Sequence, residues 1–141
     1  MIELVPFIRE HRASLESAGS GENSKFTLKP QLLQTMEAQN SWTIMADGFP
    51  VACGGTIEHW PGRHQAWAQV SRHAGPHMKA VTRLSRQVLS LATGRIEMTV
   101  RKDFKPGQQW ARLLGFSIET PLMPKYGPEG EDHVGYVLFQ D

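Results

Sequence analysis

The sequence predicts a single α/β domain of the α+β kind, with a mixed, mostly antiparallel central sheet flanked by helices. Three observations carry that prediction. The chain's 141 residues suit one unit, and 40% of them are apolar before its 13 glycines are counted, enough for a sizeable core. The hydrophobic period switches between helical spacing and strict alternation, so helices and strands are both present. The elements read from that period fall in the order β-α-α-β-β-β-α-β-α-β-β, with a hairpin signal, Asp47-Gly48, near the middle.

Taken in order, residues 2–5 form a short strand and 7–16 a first helix. "SAGSGENS" (17–24) is small, polar and glycine-bearing, and reads as a connection. In 30–39, Leu32, Leu33 and Met36 share a helical face, with Pro30 at the first helical position, where a missing N–H is harmless. Two β-rich runs flank Asp47-Gly48, and "WPGR" (60–63) breaks the chain before one more strand at 64–71. Residues 41–71 therefore make a three-stranded antiparallel meander. A helix follows over 76–92. Met78, Val81, Leu84, Ser85, Val88, Leu89 and Ala92 line one face and Lys79, Arg83 and Arg86 another, until Thr93-Gly94 stops it. "RIEMTVR" (95–101) alternates as a strand. Residues 105–115 are a short helix carrying Trp110, Leu113 and Leu114, and 116–123 and 134–140 are two last strands joined by "PKYGPEGEDH".

Composition narrows the function. Fifteen Lys and Arg against 14 Asp and Glu give a net charge of +1, without the basic excess of a dedicated nucleic-acid binder. The single cysteine, Cys53, can form no internal disulfide, and it fits a buried strand position in a reducing compartment. No apolar run nears the roughly 18 residues of a membrane span, and the opening "MIELVPFIREHR" lacks the apolar region of a signal peptide. A soluble, cytosolic protein is expected. His73 and His77 stand four apart, but no carboxylate or cysteine completes a ligand set, so no metal site is expected.

The stretch "RHAGPH" (72–77) points to chemistry. A strand that ends in a glycine-bearing turn and opens a helix gathers N–H groups and the positive end of the helix dipole, an arrangement suited to phosphate or pyrophosphate. Gly75 lets the backbone approach an anion closely, and Arg72, Lys79 and Arg83 stand near enough to add charge-assisted contacts. Together with the element order, this segment resembles the GNAT superfamily of N-acetyltransferases. In that family the fourth strand runs into a loop of pattern Arg/Gln-x-x-Gly-x-Gly/Ala. Arg72 and Gly75 stand at the matching spacing, with His77 in place of the last small residue. "WARLLGFSIE" (110–119) is similar to the family's Tyr-x-x-x-Gly-Phe-x-x-Glu segment through Gly115, Phe116 and Glu119, but Ala111 replaces the tyrosine. The "WPGR" turn and the "AGPHM" loop are most like those of short phage and prophage acetyltransferase-like proteins.

The resemblance implies an N-acetyltransferase that uses acetyl-CoA as co-substrate and acts by direct attack of an amine, on a small molecule or a protein. It implies that the fourth and fifth strands run parallel and splay apart, and that the pantetheine arm pairs with the fourth at Val70 and Ser71. Arg72 and the backbone of Ala74, Gly75, His77 and Met78 would hold the pyrophosphate, with Pro76 shaping the turn but offering no N–H. The splay is expected to need an irregularity in the fourth strand. Glu58 and His59, at the end of the third strand near the expected cleft, are candidate bases for the amine, as is Glu97, which shares a strand face with Thr99. Tyr126 is the candidate to protonate the CoA thiolate, which Ala111 cannot do. A second implied role is catalytically silent, the fold serving as a binding or virion-assembly module. The implied partners are acetyl-CoA, an amine acceptor, a second copy (dimers are common in the family) and a phage or host protein, in the host cytosol or on a virion.

Overall fold

Asp47 and Gly48 close the hairpin foreseen for them, with φ of 51° and 86°, the paired positive values of a type I′ turn. The computed structural model describes residues 1–17 and 29–141. Its elements are β1 (Ile2–Pro6), α1 (Arg9–Ser17), α2 (Pro30–Ala38), β2 (Asn40–Ala46), β3 (Phe49–Trp60), β4 (Arg63–Val70), α3 (Met78–Leu89), β5 (Gly94–Arg101), α4 (Lys105–Leu113), β6 (Ser117–Met123) and β7 (His133–Gln140). The connection read at 17–24 lies, beyond Ser17, outside the described residues. The seven strands form one sheet in the order β1-β2-β3-β4-β5-β7-β6. Every neighbouring pair is antiparallel except β4 and β5, which run parallel.

The pleat sends successive side chains to opposite faces, and helices cover both. On one face, Leu89, Ala92, Ala111, Leu114 and Phe116 bury Ile96, Val100, Val134 and Tyr136 beneath α3 and α4. On the other, Phe7, Leu15 and Met36 of the α1–α2 side enclose Cys53, with Trp67 edge-on to Phe7 at 4.9 Å. Cys53 is a core residue, as expected. The segment after α4 is explained by its cap. Gly115, at φ +101°, donates its N–H to Arg112 O and Phe116 donates to Ala111 O, both at 3.0 Å. That is a Schellman motif, so the Gly-Phe pair stops the helix and drops the phenyl ring into the core.

Two expectations need correction. The helix foreseen from residue 76 begins at Met78, because Arg72–His77 winds as a 3₁₀ turn. Ser71 starts that turn, accepting the N–H of His73 on Oγ at 3.1 Å and that of Ala74 on its carbonyl at 3.0 Å. Pro76 has no N–H with which to extend an α-helical ladder. At the other end Leu91 and Ala92 bond back three residues, to Val88 and Leu89, so the last turn tightens and the regular helix stops at Leu89. Nor does the fourth strand carry an irregularity. Its register with β3 runs unbroken from Val70↔Ala52 to His64↔Glu58, and the shift falls in β3 between Glu58 and Trp60.

Candidate functional site

β4 and β5 pair only over Arg63–Gln65 and Arg95–Glu97, although the strands run on to Val70 and Arg101. Beyond those three pairs they part. The alternation of backbone groups then decides which residues face the opening. Ser71 donates its N–H to Val51 O at 2.9 Å, toward β3. Ser71 therefore has no N–H for the opening, a correction to its expected role. Val70, Ala68 and Ala66, on the alternate set, present theirs to the gap. The resemblance puts Val70 beside the pantetheine arm, and its N–H faces the gap together with those of Ala66 and Ala68, a direction set by the register with β3. Beside this edge lies a cavity of about 60 Å³ whose walls include Ala66, Ala68, Met98, Trp110 and Leu114. One water needs about 10–15 Å³, so the slot has room for a slim chain.

The wide end of the gap meets the 3₁₀ turn. A Cβ at Gly75 would meet nothing within 4 Å. Nothing inside the fold demands glycine there, and the space before it is open. Arg72, Lys79 and Arg83 are exposed and have no ion-pair partner among the described residues. Arg86 is not part of that group, because it donates from Nε to Leu113 O at 3.1 Å and caps the end of α4. The expected amide cradle is only partly present. The N–H groups of Ala74 and Met78 are already engaged by Ser71 O and Gly75 O, and 3₁₀ winding turns amides back toward the carbonyl three residues earlier. An anion here would meet side-chain cations and the open flank of Gly75 first.

On the face away from α3 and α4, Arg63 lies 2.8 Å from Glu97, and Arg95 bonds both Glu97 and Glu119. The hydrogen bond from Arg63, reinforced by Arg95, outweighs burial and pulls the Glu97 carboxyl down to about 2. Held by two arginines, the Glu97 carboxylate is a weaker base than an ordinary glutamate. Glu58 and His59 are exposed on β3, across β4 from the gap and level with its closed end. The Glu58 N–H donates to Gln39 Oε1 at 2.7 Å and the His59 ring sits 3.2 Å from Gln65 Oε1. The structure does not bring either to the opening. Tyr126 is different. Its exposed ring stands 5.2 Å from that of His133, whose Nδ1 is 3.1 Å from Thr99 Oγ1 and whose Nε2 is 3.5 Å from Glu131 Oε1. No short-range spacing announces that cluster, since β5 and β7 bring it together. Trp67 Nε1 is buried with no partner among the described residues, a donor on this same face.

Ala111 is fully buried in the core under α4, and the α4 aromatic at the cavity is Trp110, which donates to Thr82 Oγ1 at 3.0 Å. Restoring a tyrosine by Ala111→Tyr is expected to destabilise the protein by about 1–3 kcal/mol through overpacking. Thermal denaturation checks this, and an unchanged midpoint would show that the ring escapes the core.

No family model and no curated protein matches the sequence. Solved structures do match in shape. A GNAT-family acetyltransferase from Bacillus anthracis aligns with a TM-score of 0.67 at 11% identity, over 98% of this chain and 94% of that one. Ard1 from Thermoplasma volcanium aligns at 0.71 and 12% identity, over 99% and 98%. YncA from Salmonella typhimurium, solved with its cofactor acetyl-CoA, aligns at 0.68 and 10% identity, over 99% and 94%. Parallel β4 and β5 parting inside an otherwise antiparallel sheet, with helices on both faces, is thus an architecture this chain shares along nearly its whole length with acetyltransferases: its fold is the GNAT fold.

Proposed function

We propose that the chain is an acyl-CoA-dependent N-acetyltransferase that passes the acetyl group of acetyl-CoA to an amine of a small molecule or protein by direct attack. The early end of β4–β5 pairing carries this reading, because it leaves the edge of Ala66, Ala68 and Val70 open beside an apolar slot. The amides of a pantetheine arm suit such an edge, adding to it as a strand would. Arg72, Lys79 and Arg83 supply cations for the pyrophosphate, and the open flank of Gly75 gives it room. That a neighbour in shape holds acetyl-CoA supports the same choice.

Calorimetric titration with acetyl-CoA, with desulfo-CoA and Gly75→Glu as controls, tests it. Micromolar binding is expected, weakened at least about 100-fold, or roughly 2.7 kcal/mol, by the glutamate. The variant should fold normally, since its side chain starts in open space. No binding up to millimolar acetyl-CoA overturns the enzyme. The burial of Ala111 and the engaged amides of Ala74 and Met78 favour one other reading, a binding or assembly module on the same fold. That module would bind no acetyl-CoA.

A further inference from the structure

The β6–β7 loop is built around one carboxylate. Glu131 accepts the N–H of Glu129 at 2.9 Å on Oε2, and Gly127 donates its N–H to Glu131 O at 3.0 Å. A Cβ at Gly127 would fall 1.6 Å from Glu131 Oε1, so any other residue there would push the carboxylate out of this position. Lys125 N–H on Asp132 Oδ1 (3.1 Å) and Lys102 N–H on Asp132 O (2.9 Å) tie the loop to the end of β5. His133 follows, its side chain 13% exposed, with Glu131 on one ring nitrogen and Thr99 on the other. The Glu131 contact, at 3.5 Å, is at the outer limit of hydrogen bonding, and such contacts often shorten in the loaded enzyme. The Tyr126 ring lies 5.2 Å from that of His133, Asp132 precedes it in the loop, and Arg101, opposite it in the ladder, is paired with Asp103.

With the Nε2 proton directed at Glu131, Nδ1 accepts the hydroxyl proton of Thr99. Thr99 lies two residues past the last β4–β5 pair, about 7 Å along the strand, on the face opposite Val100 and the α3–α4 core. Thr99 thus sits where β5 borders the gap, on the face that α3 and α4 leave uncovered, with its hydroxyl held by His133 of β7. Carboxylate, imidazole and hydroxyl stand in line, the order by which a weakly acidic hydroxyl is made to pass a proton.

We propose that Thr99, His133 and Glu131 form a proton relay for acetyl transfer, an inference that rests on the acyltransferase reading above. A neutral amine forms the new C–N bond at the acetyl carbonyl and gives its proton to Thr99 Oγ1, as Thr99 gives its own to His133 Nδ1. Glu131 steadies the imidazolium. The C–S bond breaks with its electron pair on sulfur, and the proton returns through Thr99 to the thiolate, leaving an amide and free CoA. Thr99 touches the reacting atoms, while His133 and Glu131 act through it. The relay does the work of the absent tyrosine.

The test is thiol release from acetyl-CoA with spermidine, lysine and a peptide bearing a free N-terminal alanine as probe amines, between pH 6 and 9. Acetyl-CoA binding is followed by calorimetry beside it. Thr99→Val and His133→Gln are each expected to lower kcat about 100-fold or more, with the acetyl-CoA Kd within about threefold of wild type. Thr99→Ser keeps the hydroxyl and should retain most of the activity. A Thr99→Val enzyme within threefold of wild type overturns the relay even if His133→Gln fails to fold. So does a wild-type protein that binds acetyl-CoA but releases no thiol with any probe amine. Absence of acetyl-CoA binding overturns the acyltransferase reading itself.

Discussion

Gly55→Ala is expected to leave the chain unfolded, or to lower its Tm by well over about 10 °C. A Cβ at this position would lie 2.0 Å from Asn40 O and 2.7 Å from Ser41 Cα. Both are backbone atoms of the strand paired with Gly55, so no side chain can swing aside. Relief requires β2 and β3 to separate inside the sheet, and the ladder bonds go with them. Losses above about 4 kcal/mol are exceptional for one substitution, but a clash of this kind produces them, and whole domains have only about 5–15 kcal/mol. Circular dichroism and thermal melting of the soluble protein decide it. A Tm within a few degrees of wild type would mean that the strands yield far more easily than their pairing suggests.

Loss of Glu97 comes next in size. Arg63 and Arg95 share its carboxylate and hold it at about 2, against an unperturbed value near 4.5. As pH falls, the unfolded chain takes up this proton before the folded one does. The stabilisation is therefore complete above about pH 4.5 and disappears as pH drops toward about 2, amounting to something on the order of 1–3 kcal/mol for a group still partly open to solvent. Glu97→Gln should lower the Tm at pH 7, where it also leaves two arginines without their shared counter-charge. It should flatten the wild-type decline between pH 5 and 2. Parallel melting curves across that range for the two proteins would sink the idea.

The sequence was most legible where the signal is local. Alternation, helical spacing and Asp47-Gly48 depend on neighbours a few residues away, and the strands and helices they indicated are present. Features that depend on a distant partner are not legible in this way. Whether Ser71 or Ala68 faces the gap depends on which of them bonds to β3, and no single strand records that. Sequence alone starts the helix at Pro76, because the capture of two N–H groups by Ser71 is a matter of geometry rather than residue type. Glu97 reads as a free carboxylate in the sequence because Arg63, which sits against it, lies 34 positions earlier. Thr99 and His133 are equally far apart, and the β5–β7 ladder brings them together. Gly54 and Gly55 were read simply as part of a strand, although each stands where another backbone passes too close for a Cβ.

The pleat of β4 and β5 has a consequence for how the protein can change. Ala66 and Met98 line the slot proposed for the coenzyme, whereas on the opposite face the Trp67 ring packs on Phe7, Glu97 meets Arg63 and Thr99 meets His133. Neighbouring letters of the same short segment thus serve two different faces of the sheet. If the acyltransferase proposal holds, a substitution at Ala66 or Met98 disturbs the coenzyme slot and spares the opposite face, whereas one at Glu97 or Thr99 does the reverse, so the two faces of one strand pair can be altered separately.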